Sequence, residues 1–354
     1  MLWLSSKSYL LAFLVLAPPA LASSGDRLPE YQTCLSYCLS SSCSTPNALP
    51  LTLRLTQWTC LDNCKYSCTH SVTDLLLARA QSEGKDPKVH QFHGKWPFWR
   101  LAGMQEPASV LFSLGNLWMH LRGFKALRRR VPRAHPLRSM LLTWSVLSMN
   151  AWVWSSVFHT RDTPTTEKLD YFSAALAIMS ALHFTVARFF FLSPSSSLRF
   201  RVWTTLCALT YLAHISYLTL LPRFDYAYNM AFNVALGVSH NILWLIYALP
   251  ARLTLFRRFP SPFDPESDSK SPLDGNNNRT RYRARNYRPA FASRAALCVG
   301  LTTAAMALEL LDFPAIGRVL DAHALWHAAT IPIAGMWYTF ILRDALDEGW
   351  RGWL

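Results

Sequence analysis

The chain has 354 residues, 51% of them apolar and only 16% charged, with 14 Trp and 20 Phe. A charged fraction well below the roughly 25% of ordinary soluble domains argues against a disordered scaffold or a small secreted module and points to a membrane protein. The net charge of +14 sits in short stretches between apolar segments, a pattern of membrane topology rather than of nucleic-acid binding.

Residues 1–22 carry one Lys, an apolar run from Tyr9 to Ala17 and small residues at Ala20 and Ala22. They read as a signal peptide cut after Ala22, the alternative being an uncleaved anchor. Either one puts the next segment outside the cytosol. Residues 23–97 hold six of the eight cysteines: Cys34, Cys38, Cys43, Cys60, Cys64 and Cys68. The groups C-x3-C-x4-C and C-x3-C-x3-C fit a disulfide framework in an oxidising compartment, with the connectivity open; a zinc cluster is the competing reading. Cys207 and Cys298 lie in apolar segments, as small core residues do.

Residues 98–354 contain seven apolar stretches, near Pro107–Leu121, Ser139–Phe158, Tyr171–Leu192, Val202–Leu221, Tyr226–Leu249, Phe291–Leu311 and Ala322–Arg343. Each approaches the roughly 20 residues needed to cross hydrocarbon. The loop RGFKALRRRVPRAHPLR holds seven Lys or Arg, and the stretch 251–290 is also strongly basic. Loops on the other side carry little excess charge. The expected architecture is an all-α membrane protein, a seven-transmembrane helix bundle preceded by a small disulfide-rich luminal domain. Its amino terminus is luminal and its carboxyl terminus cytosolic, with a variable basic cytosolic loop at 251–290.

Ionisable residues at the ends of such helices are informative. Ser155 and His159 are four apart, as are His323 and His327, and four residues advance a helix by about 400°, so each pair shares a face. Asp170 falls at the same membrane face. Three imidazoles meeting there fit a catalytic zinc site, His159, His323 and His327 being the ligands. Asp170 is then the base, and Ser155 orients a ligand or donates to an oxyanion. The bland readings stand beside these: satisfied structural histidines, and a serine easing helix contact. Asp162 and Glu167 share the loop with Asp170, and composition does not choose among the three carboxylates. Asp321 either orients a ligand or caps the last helix.

Three stretches then carry a resemblance: HGKWPFWR at His93 to Arg100, WVWSSVFHTRDTPTTEKLDYF at Trp152 to Phe172, and DAHALWH at Asp321 to His327. With the leader and the cysteine module, they resemble the post-GPI-attachment-to-proteins factor 3 family, within a seven-span zinc hydrolase superfamily that includes alkaline ceramidases and adiponectin receptors. The resemblance implies a phospholipase A2-type enzyme that removes the sn-2 acyl chain from the glycosylphosphatidylinositol (GPI) anchor of proteins. It implies zinc on His159, His323 and His327, with Asp170 in water activation and Ser155 in support. It also implies GPI-anchored proteins as partners and an endoplasmic reticulum membrane as location, the Golgi being the alternative. Two other functions remain open: a ceramidase-like amide hydrolase, and a non-enzymatic receptor or chaperone for anchored cargo.

Overall fold

The computed structural model describes residues 23–43, 49–192, 197–253, 257–260 and 287–350. The leader at 1–22 and most of the basic loop expected at 251–290 lie outside the described residues. Regular structure among the described residues is helical, with three isolated β-bridges.

Three helices open the chain: α1 (Pro29–Ser42), α2 (Leu51–Leu55) and α3 (Cys60–Ser82). Pro begins α1, where its missing N–H costs no hydrogen bond. A reciprocal capping box between Thr59 and Asp62 begins α3. Four-residue spacing puts Cys34 and Cys38 on one face of α1, and Cys60, Cys64 and Cys68 on one face of α3. The two helices pack together, and Cys34–Cys68, Cys38–Cys64 and Cys43–Cys60 close a nested ladder between them. Such bridges typically contribute about 2–4 kcal/mol each, which suits a unit with a small apolar cluster built on Tyr31, Cys68, Val72 and Phe92.

Seven long helices follow, on the seven apolar stretches of the sequence: α4 (Pro107–Arg130), α5 (Arg138–Thr160), α6 (Pro164–Phe189), α7 (Leu198–Leu220), α8 (Tyr226–Ala248), α9 (Ser293–Glu309) and α10 (Ala322–Ala345). Their reading as a seven-transmembrane bundle is corrected here. Among the described helices only α6 and α8 have the length and mean hydropathy, 1.4 and 1.3, to cross a membrane, and α9 is a shorter apolar helix. The physical reason is that α4, α5, α7 and α10 carry polar or charged residues within or at the ends of their apolar stretches, while α9 is short. Helix α4 ends in Arg128, Arg129 and Arg130, and α10 includes two histidines, Arg343 and Asp344. The alternating sides assigned to the loops counted seven crossings, so they lose their basis too.

Helix contacts run α4–α5–α6–α8–α9–α10 and back to α4, closing a ring of six, with α7 outside against α6. Glycines on α4 and α10 allow the closing helices to approach closely, Gly123 most of all. A Cβ on Gly123 of α4 would lie 2.3 Å from the Tyr338 ring of α10, so only glycine lets these helices come this near. Far from the start of α10, the ring is locked by a buried ion pair. Arg188 of α6 donates to both oxygens of Asp344 at 2.7 and 2.8 Å, and the Tyr247 hydroxyl donates to Asp344 at 2.8 Å. The Arg188 guanidinium also lies 4.9 Å from the ring centroids of Phe259 and Trp350.

Removing one member of such a pair leaves an unpaired buried charge, at a cost of about 3–5 kcal/mol. Asp344→Asn is therefore expected to lower the thermal unfolding temperature of the detergent-purified protein markedly. Adding Arg188→Met should recover part of that loss. Additive loss in the double variant would show that the two groups do not act as a pair.

Candidate metal centre

Helices α4, α5, α6 and α10 meet at the end where α10 begins. His159 lies in the last turn of α5, and His323 and His327 occupy the first two turns of α10. Asp321 caps α10, its carboxylate accepting from the Ala324 amide at 2.8 Å, so the same residue that starts the helix sets the placement of His323. The donor nitrogens of the three histidines all lie within 4.8 Å of one another, with His159 and His327 buried and His323 half-buried. The Nε2 atoms of His159 and His323 are 3.3 Å apart.

The pairing of each ring shows which nitrogen is free. The Nδ1–H of His159 donates to Glu106 Oε2 at 2.7 Å, which leaves Nε2 with a lone pair pointing at His323. His327 Nδ1 faces Ser113 Oγ at 3.0 Å and the Ser109 carbonyl at 3.4 Å, which leaves its Nε2 for the cluster. Two nitrogens on a tetrahedral zinc with bonds of about 2.0–2.1 Å stand roughly 3.4 Å apart, so the His159–His323 separation fits such an ion. A buried carboxylate behind a ligating histidine is also the usual outer partner at zinc sites. The residues fit zinc. A second group close enough for a metal, Cys43, Cys60 and Cys64, is consumed by disulfides and offers no thiolate.

Ser155 is linked to His327 through Ser113. Its Oγ is 3.0 Å from Ser113 Oγ, and Ser113 makes the contact to His327. The three carboxylates left undecided by composition separate cleanly. Asp162 pairs with Lys95 at 3.0 Å, and Glu167 accepts from the Tyr226 hydroxyl. Asp170, half-buried on α6, has no hydrogen bond or ion pair among the described residues, and its foremost charge neighbours are His159 and His323. Trp152 and Trp326 wall the cluster, with ring centroids 5.2 and 5.0 Å from that of His327.

Sequence reasoning passed over Glu106, Lys95 and Ser113. Glu106 stands at the start of α4 before Pro107, where an acidic residue ordinarily reads as a cap, yet its side chain makes no capping bond. It turns instead to His159, while its amide donates to the His159 carbonyl at 3.0 Å. Burial by itself would raise the Glu106 carboxyl. The Lys95 ammonium, in direct contact, and His159 overturn that and hold it well below the usual carboxylate range. Half-buried Lys95 lies between Glu106 and Asp162, whose charges hold its ammonium above the usual lysine range against the opposite pull of burial. The signal for Ser113 was present in the sequence. Ser109, Ser113, Asn116 and His120 form a polar stripe at helical spacing along α4, and all four are buried. Asn116 donates to the His327 carbonyl at 2.8 Å.

The chain belongs to the Per1-like family, whose profile matches residues 50–345. It is 36% identical over 337 residues to the "Protein PER1 homolog" of Schizosaccharomyces pombe, covering 94% of this chain and 90% of the relative. It is 38% identical over 340 residues to the "GPI-specific phospholipase A2-like PGAP3" of Xenopus laevis, covering 94% and 93%. The human protein of the same name is 36% identical over 334 residues, covering 92% and 91%. No solved structure matches.

Outer-shell carboxylates at zinc sites typically contribute a factor of about 10–100 in metal affinity. Glu106→Gln is expected to weaken zinc retention by that order in a chelator competition, with the protein still folded. Unchanged affinity would show that Glu106 does not orient His159 toward a metal.

Proposed function

We propose that the chain is a zinc-dependent lipid hydrolase that removes the sn-2 acyl chain from the GPI anchor of proteins. The names of its relatives, GPI-specific phospholipase A2-like, support the substrate class. The observation that carries the chemistry is the convergence of three imidazoles, with a carboxylate fixing one tautomer and an unpaired Asp170 beside them.

A zinc ion bound by His159, His323 and His327 would polarise the ester carbonyl and bring the acidity of a water near neutrality. The protein's own groups do the rest. Asp170, which has no hydrogen bond or ion pair among the described residues, takes a proton from the attacking water. The water oxygen bonds to the carbonyl carbon, the bond from that carbon to the sn-2 oxygen breaks, and Asp170 returns the proton to the departing alkoxide. The products are a fatty acid and a lyso lipid. Glu106 keeps His159 in the tautomer that presents Nε2, and Ser113 with Ser155 behind it holds the His327 ring. Trp152 and Trp326 narrow access of bulk water.

The work takes place at a membrane, the endoplasmic reticulum on the family likeness. Exposed aliphatic side chains on α7 and α8, including Val202, Leu206, Leu209, Val234, Val238 and Ile242, support contact with lipid. GPI-anchored proteins are the partners in this reading, as carriers of the substrate.

Incubation of the purified protein with a defined GPI lipid, followed by mass spectrometry, should yield the lyso lipid and a free fatty acid. Product should vanish with chelator and return with zinc. His327→Ala and Asp170→Asn are each expected to reduce turnover by at least about 100-fold, in the range of removed general bases, while abundance stays near normal. Wild-type turnover by His327→Ala would sink the mechanism. Hydrolysis of ceramide in place of the ester would transfer the same groups to amide chemistry.

A further inference from the structure

A cavity of about 380 Å³ opens beside the metal centre, between α3, the segment 92–98 and the turn joining α5 to α6. That volume lies in the range of small-ligand sites. Its wall is mixed, and most of its charge is already spent. Asp62 holds Arg161 at 2.6 Å, and Asp162 holds Lys95 at 3.0 Å. Two lining groups are not spent in this way. Half-buried Lys65 makes no hydrogen bond or ion pair among the described residues, though its charge acts on Asp62 and His93. Trp96 is pinned at one edge, its indole N–H donating to Asp312 at 2.8 Å, while its ring has no aromatic or cationic partner among the described residues.

A fixed indole face and an ammonium without a bond among the described residues, lining one cavity, suit one class of ligand. The C–H face of a sugar ring stacks on an aromatic face. A phosphate accepts charge-assisted hydrogen bonds from an ammonium, and carboxylates such as Asp62 and Asp162 accept from sugar hydroxyls. The cavity also shares a wall with the catalytic site: Lys95 lines the cavity and contacts Glu106, which in turn orients His159.

We propose that this cavity binds the phosphorylated glycan headgroup of the lipid substrate, with Lys65 on a phosphate and Trp96 against a sugar ring. The proposal rests on the hydrolase reading for the identity of that lipid, but headgroup binding requires no turnover. The headgroup would thereby be read by the cysteine-rich unit while the ester is cleaved among the long helices. The ladder of disulfides then serves recognition as well as folding.

The test is calorimetric titration of the full chain in detergent with a deacylated phosphoinositol glycan, and with the same glycan lacking phosphate. Saturable binding of the phosphorylated probe is expected, with at least tenfold weaker binding of the neutral one. Lys65→Met should lose that preference for phosphate, and Trp96→Ala should weaken both probes at least tenfold. Unfolding temperatures should match the wild type for Lys65→Met, which alone decides the matter if Trp96→Ala does not fold. His327→Ala should bind as the wild type does. No binding by the wild type, or an unchanged phosphate preference in Lys65→Met, overturns the proposal. Binding with no ester cleavage by the wild type would sink the hydrolase reading and leave the cavity's role standing.

Discussion

The Glu106 carboxylate is the constraint around which the site is built. A charge buried this deeply is tolerable only if it is paired and hydrogen-bonded. Two separate pieces of chain meet that need: Lys95 from the segment before α4 and His159 from the end of α5. Each contact has a second consequence. The bond to His159 selects the tautomer that frees Nε2. The contact with Lys95 draws Asp162 into the same chain and ties the cysteine-rich unit to the metal centre. One desolvated anion therefore couples folding of the amino-terminal unit to the geometry of the proposed active site.

The ring of helices divides its polar residues between two ends. At the far end the Arg188–Asp344 pair is roofed by Phe259 and Trp350 and is bonded within the protein. At the near end Asp170 has no hydrogen bond or ion pair among the described residues, and the three histidines bring their ring nitrogens within 4.8 Å of one another. That contrast separates the two clusters better than burial does. The stripe of Ser109, Ser113, Asn116 and His120 runs between the two along α4.

Much of this was legible in residue order. The positions of the long helices followed from apolar runs, and the pairs Ser155–His159 and His323–His327 announced shared helical faces. The expectation of seven crossings failed because apolar content was judged apart from the polar residues each helix carries inward. Hydropathy marks where a helix forms. The position of a helix does not by itself give a window long and apolar enough to cross a membrane, and among the described helices only α6 and α8 contain one. Glu106 escaped notice because an acidic residue before Pro at a helix start has an ordinary local role, and only the partner 53 residues away reveals another.

The sequence by itself determined the local facts: where helices start, which residues share a face, and that six cysteines form an oxidised framework. All of these depend on spacing along one chain. Only the tertiary structure decided which cysteines join, because pairing in a helical hairpin depends on antiparallel register. It alone decided that Ser155 reaches His327 through Ser113, and which nitrogen of His159 is free. It also sorted Asp162, Glu167 and Asp170, three similar carboxylates within nine residues. Two found partners on other segments and one did not, and composition carries no record of a partner brought near by folding.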